Sequence, residues 1–154
     1  MTTVYTIGHS SHTTELFVEL LRQHGIELLI DVRSSPYSRY VPQANRETLA
    51  RALRAAGIAY GWLGDRLGGK PGGIAADYDE LRASPGFQQG IDRLITLAAE
   101  RRTVIMCAEG DYRQCHRLKL ITPALLDQAV CVHHIQPDGS LVDEDQEAEQ
   151  LSLF

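Results

Sequence analysis

Glu27-Leu28-Leu29-Ile30-Asp31-Val32 carries three apolar residues in a row, then an aspartate, then a valine. A strand with one wet face alternates apolar and polar residues, whereas an unbroken apolar centre marks a strand covered on both faces. Strands of that kind belong to parallel sheets with a helical layer on each side. The neighbouring segments agree. Residues 4–7 are β-branched and aromatic and stop at Gly8, and residues 58–63, 103–106 and 130–135 read as three more strands. Helical patterns separate them. One runs from Thr13 or Thr14 to His24, with Leu16, Phe17, Leu20 and Leu21 on one face and Gly25 as its stop. A second is capped by Asn45, a third reaches Arg102 with an interruption near Ser84-Pro85-Gly86, and a fourth covers residues 115–128. The predicted class is α/β: a single domain over residues 1–140, its mostly parallel sheet of about five strands flanked by helices on both faces. Residues 141–154 read as an acidic flexible tail. The Gly-rich stretch 64–77 reads as a loop that can serve as a lid.

Composition bounds the partners. The chain has 154 residues, 44% apolar, which is enough for a packed core. A formal net charge of -5 argues against coating nucleic acid by bulk charge, yet it leaves room for a local basic site. No apolar run is long enough to cross a bilayer, so no membrane partner is expected. The first residues lack the basic start and apolar stretch of a signal peptide. Three cysteines, Cys107, Cys115 and Cys131, cannot all pair within one chain. The expectation is therefore a cytoplasmic protein with reduced cysteines.

In an open parallel sheet, ligands bind beyond the carboxyl ends of the strands. Those ends are chemically loaded here, with His9 and Ser10 after the first strand and Asp31, Arg33 and Ser34 after the second. Arg66 follows the third strand, and Cys107 and Glu109 close the fourth. Cys115, His116 and Arg117 then open the next predicted helix, whose N-terminus favours a thiolate. The catalytic candidates are Cys107, Glu109, Cys115, His116 and Asp31. Ligand-binding candidates are His9, Ser10, Arg33, Tyr37, Arg39, Arg66, Lys70 and Arg117. Arginine side chains suit phosphate or carboxylate, and the aromatic-basic mix of Tyr37, Arg39 and Tyr40 suits stacked bases. His133 and His134 are adjacent on a strand, so they face opposite ways.

Several sharper motifs compete for this cluster. Cys107 to Arg113 fits C-x-x-x-x-x-R, the oxyanion loop of cysteine phosphatases and sulfurtransferases, but Glu109 and Asp111 within it would repel an anion. Cys107, Cys115 and His116, with His9 as a fourth, contain zinc-ligand types without a recognised zinc spacing, so no metal is assigned. Cys-Ala-Glu resembles half of a zinc-deaminase signature whose other half is missing.

Taken together, YTIGHS at residues 5–10, DVRSSPYSR at 31–39, Gly57-Ile58 with Tyr60 and Leu63-Gly64, LGGKP at 67–71, CAE at 107–109 and CHR at 115–117 resemble the domain-of-unknown-function family 488. The resemblance implies a compact prokaryotic α/β domain and brings no reaction with it. It draws attention to Gly8, His9, Ser10, Asp31, Arg33, Tyr37, Cys107, Glu109, Cys115, His116 and Arg117. Separately, Gln150-Leu151-Ser152-Leu153-Phe154 resembles the pentapeptide with which bacterial replication and repair proteins dock on the DNA sliding clamp. Gln150, Leu151, Leu153 and Phe154 are the anchors, presented on an acidic tether. The leading expectation is a DNA-associated nucleic-acid or nucleotide processing protein, recruited through its tail, with an anion site at the strand ends. The alternatives are a cysteine-dependent small-molecule enzyme, sulfurtransferase- or phosphatase-like, and a non-catalytic nucleotide-binding module.

Overall fold

A computed structural model describes residues 2–70 and 77–144, apart from the side chains of Arg117 and Leu118. Its strands are β1 (Thr3–Gly8), β2 (Leu28–Asp31), β3 (Ala59–Trp62), β4 (Thr103–Cys107), β5 (Cys131–Ile135) and β6 (Leu141–Glu144). Its α-helices are α1 (Thr14–Gln23), α2 (Arg46–Ala55), α3 (Gly64–Leu67), α4 (Tyr78–Ala83), α5 (Pro85–Glu100) and α6 (Thr122–Asp127). One sheet carries the strands in the order β3-β2-β4-β1-β5-β6, with β5–β6 antiparallel and the other pairings parallel. The α/β class, the single compact domain and the mostly parallel sheet are as the sequence indicates.

Connections from β1 and β2 run toward the β3 edge, whereas those from β3 and β4 run back toward β5. Right-handed crossovers then place the two sets of helices on opposite faces. The core confirms the division. Phe17, Leu20 and Leu21 of α1 and Leu49 and Leu53 of α2 pack with Ile7, Leu29, Val104 and Met106 on one face. Phe87, Ile91 and Leu94 of α5 and Leu125 of α6 pack with Val4, Leu28, Ile30 and Ile105 on the other. All four residues of β2 are buried, which is why its sequence has no polar alternation. β1 and β4 lie side by side, and the chain leaves them toward opposite faces, so a crevice opens beyond their carboxyl ends.

Local chemistry sets the boundaries. The Thr13 hydroxyl caps α1 through the Leu16 N–H. Ser84 ends α4 and caps α5, because Pro85 can start a helix but cannot continue one. Asn45 occupies the α2 cap position, but its Oδ1 accepts from the Ser38 N–H at 2.6 Å, so the side chain braces the preceding loop.

Three expectations need correction. The stretch over 115–128 is not one helix: a 3-10 turn (Tyr112–Gln114) and a π-helical segment (Arg117–Ile121) precede α6. Pro123 has no N–H for the Lys119 carbonyl, which accepts instead from Arg82 at 2.8 Å. The Gly-rich stretch begins as a short helix, α3, and residues 71–76 lie outside the description. Finally, the tail does not begin at residue 141. Leu141–Glu144 form the edge strand β6, because His133 pairs with Asp143 and the buried His134 with Glu144 at 3.0 Å. Acidic residues that read as solvated tether are held there by histidine partners.

Candidate functional site

At the end of β2 the backbone turns so that Arg33 folds back on Asp31. The Asp31 carboxylate, with no exposed surface, accepts four hydrogen bonds. Its Oδ1 takes the Arg33 backbone N–H at 3.1 Å and Nε at 2.9 Å, while Oδ2 takes Arg33 Nη2 at 2.7 Å and the Tyr60 hydroxyl at 2.6 Å. Arg33 Nη2 also donates to the Ala44 carbonyl at 2.8 Å. The tyrosine pays a chemical consequence: burial pushes its pKa far above the ordinary value, and the Asp31 hydrogen bond adds to the shift. Arg33 is only 6% exposed, and among the described residues its Nη1 has no hydrogen-bond partner. A buried donor left open in this way costs free energy unless a ligand or water supplies an acceptor.

Arg33 lines a cleft of about 470 Å³ at the strand ends, together with His9, Lys70, Cys107, Cys115 and His116. Two glycines let its walls close. A Cβ on Gly8 would lie 1.8 Å from the Glu109 carbonyl oxygen, and one on Gly64 would lie 1.8 Å from the Arg33 carbonyl oxygen. On the opposite wall, the His116 imidazole donates from Nε2 to the Val32 carbonyl at 3.2 Å. That contact fixes the tautomer in which Nδ1 is an acceptor, and Nδ1 lies 3.6 Å from Cys115 Sγ. His9 donates from Nδ1 to the Ser10 carbonyl at 2.8 Å, leaving Nε2 as an acceptor that has no partner among the described residues. Burial pushes the His9 pKa down; the Ser10 hydrogen bond opposes this and the Arg33 charge reinforces it. His9 therefore stays neutral near pH 7 and can take a proton.

The sequence candidates divide. The cleft brings together His9, Arg33, Tyr37, Lys70, Cys107, Glu109, Cys115 and His116. Asp31 stands behind Arg33 and acts through it. Ser10 does not line the cleft; it holds a left-handed backbone conformation with φ of 47° and bonds its N–H to the Ala108 carbonyl. Arg39 is exposed and does not line it. Arg66 bonds to Gln89 on α5. The side chain of Arg117, and Gln150, Leu151, Leu153 and Phe154, lie outside the described residues. Ser34, Ser35, Gln114 and Tyr78 also line the cleft, although none was among the candidate ligand-binding or catalytic residues. Of these, Ser34 is adjacent to Arg33 and was within reach of the same strand-end argument. Tyr78 arrives on α4 from a distant segment, and nothing local signals it.

The expectation of reduced cysteines meets one pair that the fold brings together. The strand end and the turn before the π-helical segment set the Cys107 and Cys115 sulfurs face to face and in contact, close enough to pair on oxidation; Cys131 lies on β5, outside that pair. The C-x-x-x-x-x-R loop does not wrap an anion. Arg113 turns outward, its guanidinium 69% exposed and paired with Asp111 at 3.1 Å. Among the described residues, no group of three or more His, Cys, Asp or Glu side chains is placed to hold a metal ion.

In open, mostly parallel α/β sheets, the crevice at the switch point is where ligands bind when they do. The family model described as domain of unknown function DUF488 matches residues 13–122, and the chain belongs to that family. No curated protein and no solved structure matches it.

Two outcomes follow from this geometry. Asp31→Ala strands a buried guanidinium and is expected to cost about 3–5 kcal/mol of stability, whereas Tyr60→Phe, which removes one bond to a charged group, costs about 1.5–3 kcal/mol. Urea unfolding measures both, and equal losses would contradict the ranking. His9 and His12 both have pKa values lowered by burial. Above about pH 6.5 both imidazoles are neutral whether the chain is folded or not. As the pH falls through that value, the unfolded chain takes up protons that the native histidines refuse, so stability is lost. The urea midpoint is expected to drop between about pH 7 and pH 5, and His12→Gln should reduce that drop.

Proposed function

We propose that the chain is a nucleotide- or nucleic-acid-processing protein that holds a phosphate-bearing ligand in the strand-end cleft. The observation that carries this reading is the buried Arg33 side chain, braced by Asp31 and Ala44, whose Nη1 has no partner among the described residues. A planar guanidinium fixed at its other nitrogens offers a preorganised donor to a phosphate oxygen. Lys70 is exposed on the rim and adds a second positive charge. His9 Nε2 supplies a neutral proton acceptor on the same cleft, and Tyr37, 55% exposed, offers a ring edge for a base. Residues 150–154 extend the reading to location. Their resemblance to clamp-docking peptides supports delivery to DNA, where a weak second contact raises local concentration and offsets the net charge of -5.

Calorimetry with a deoxynucleoside monophosphate tests the cleft. The wild type is expected to bind, with inorganic phosphate competing. Lys70→Ala, on the surface and safe for the fold, should weaken binding about tenfold, the equivalent of one charge-assisted hydrogen bond. Absence of binding, or binding indifferent to phosphate, would overturn the reading. Deletion of residues 150–154 should abolish capture by an immobilised bacterial sliding clamp.

A second reading has its own observation. Cys115 faces an imidazole nitrogen held as an acceptor by the Val32 carbonyl, an arrangement that can take a thiol proton. A cysteine-dependent enzyme acting on a small molecule would use that pair with Cys115 kept in its thiol form by a dithiol reductant. Iodoacetamide labelling of reduced protein is expected to modify Cys115 at or below neutral pH. Labelling that begins only near the pKa of a free thiol would exclude this reading.

A further inference from the structure

A second concavity, larger than the cleft, lies outside it. A groove of about 630 Å³ runs between α2 and β3, bounded by Arg46, Ala50, Arg54, Tyr60 and Trp62. β3 is the outermost strand at its side of the sheet. Its four residues span about 13 Å, and the groove is lined by Trp62, the single tryptophan of the chain. The Arg46 guanidinium sits over the Trp62 ring, 4.9 Å from its centroid.

Three contacts join this groove to the cleft. Trp62 Nε1 donates to the Arg33 carbonyl at 2.8 Å. The Tyr60 hydroxyl donates to Asp31, which braces Arg33. Tyr37, on the cleft, donates to Glu47 Oε1, on the groove, at 2.9 Å. The charge is also sorted. In a chain of net charge -5, the groove carries two arginines against one glutamate, and that glutamate is engaged by the Tyr37 hydroxyl.

We propose that the α2–β3 groove is the path of a single nucleic-acid strand whose next nucleotide lies in the cleft. Arg46 and Arg54 meet its phosphates, and the Arg46–Trp62 stack is the platform for a base. The chemistry is that of single-strand binders, where cationic side chains follow the backbone and aromatic or guanidinium planes take the bases. A duplex keeps its bases stacked on one another and out of reach of Trp62, and its charge density suits a more basic surface than this one. The inference rests on the reading that the cleft takes a phosphate-bearing ligand, and it names the substrate class: single-stranded and longer than one nucleotide.

The intrinsic fluorescence of Trp62 reads the test directly. Full-length protein is titrated with a short oligothymidylate, with thymidine monophosphate, and with the same oligonucleotide annealed to its complement. The single strand is expected to quench Trp62 and to bind at least about fivefold tighter than the monophosphate, since a stacked base contributes about 1–3 kcal/mol. Arg54→Ala, an exposed substitution, should weaken the oligonucleotide but not the monophosphate. It should also lower the slope of log K against log salt by about 0.7. Trp62→Phe should remove the signal. Oligonucleotide binding no tighter than the monophosphate and unmoved by Arg54→Ala overturns the groove and leaves the cleft reading intact. Arg54-dependent oligonucleotide binding without any monophosphate binding supports the groove and overturns the cleft reading. Quenching by an extended peptide but not by the oligonucleotide overturns the proposal in favour of strand addition at the β3 edge.

Discussion

The buried pair of Asp31 and Arg33 is the contact on which the strand-end region depends. Removing two such groups from water costs several kcal/mol per ion, and the charge attraction alone seldom repays it. Here the carboxylate is offset by four donors, and the guanidinium by Asp31 and the Ala44 carbonyl. One guanidinium nitrogen, Nη1, has no partner among the described residues. A structure that only needed to satisfy Asp31 had no reason to bury that nitrogen beside a cleft. That incomplete satisfaction is what the proposed anionic ligand rests on.

Other features follow the same turn of chain. The Val32 carbonyl fixes His116, and the Arg33 carbonyl accepts from Trp62 and lies where a side chain on Gly64 would fall. The cleft, the histidine–cysteine wall and the head of the α2–β3 groove therefore share two backbone oxygens just past β2. Sheet topology supplies the rest. β4 sits between β2 and β1, so Cys107 ends beside both Asp31 and His9 rather than at a distant edge.

Much of this was legible in the chain. The uninterrupted apolar centre of 28–30 indicates a doubly covered strand, and the ionisable residues after each strand mark where the cleft opens. Eight of the candidates line it. What stayed hidden depended on long-range pairing. Strand order is set by packing between distant segments, so neither the neighbours of Cys107 nor the arrival of Tyr78 could be read locally. Arg66 and Arg113 look like ligands for an anion by type and place, yet each meets a nearer partner, Gln89 or Asp111. The acidic residues 143 and 144 read as tether because their histidine partners lie ten residues earlier, across a tight turn. Composition suggested free thiols, since it cannot tell which two cysteines the fold will set face to face.

The most direct measurement is a crystal structure of the protein soaked with a deoxynucleoside monophosphate. Phosphate density within hydrogen-bonding distance of Arg33 Nη1, with the Asp31–Arg33 pair intact behind it, is the expected result. Density for the phosphate elsewhere, or an Arg33 side chain whose Nη1 has rotated onto a protein acceptor, would contradict the assignment of the cleft as an anion site.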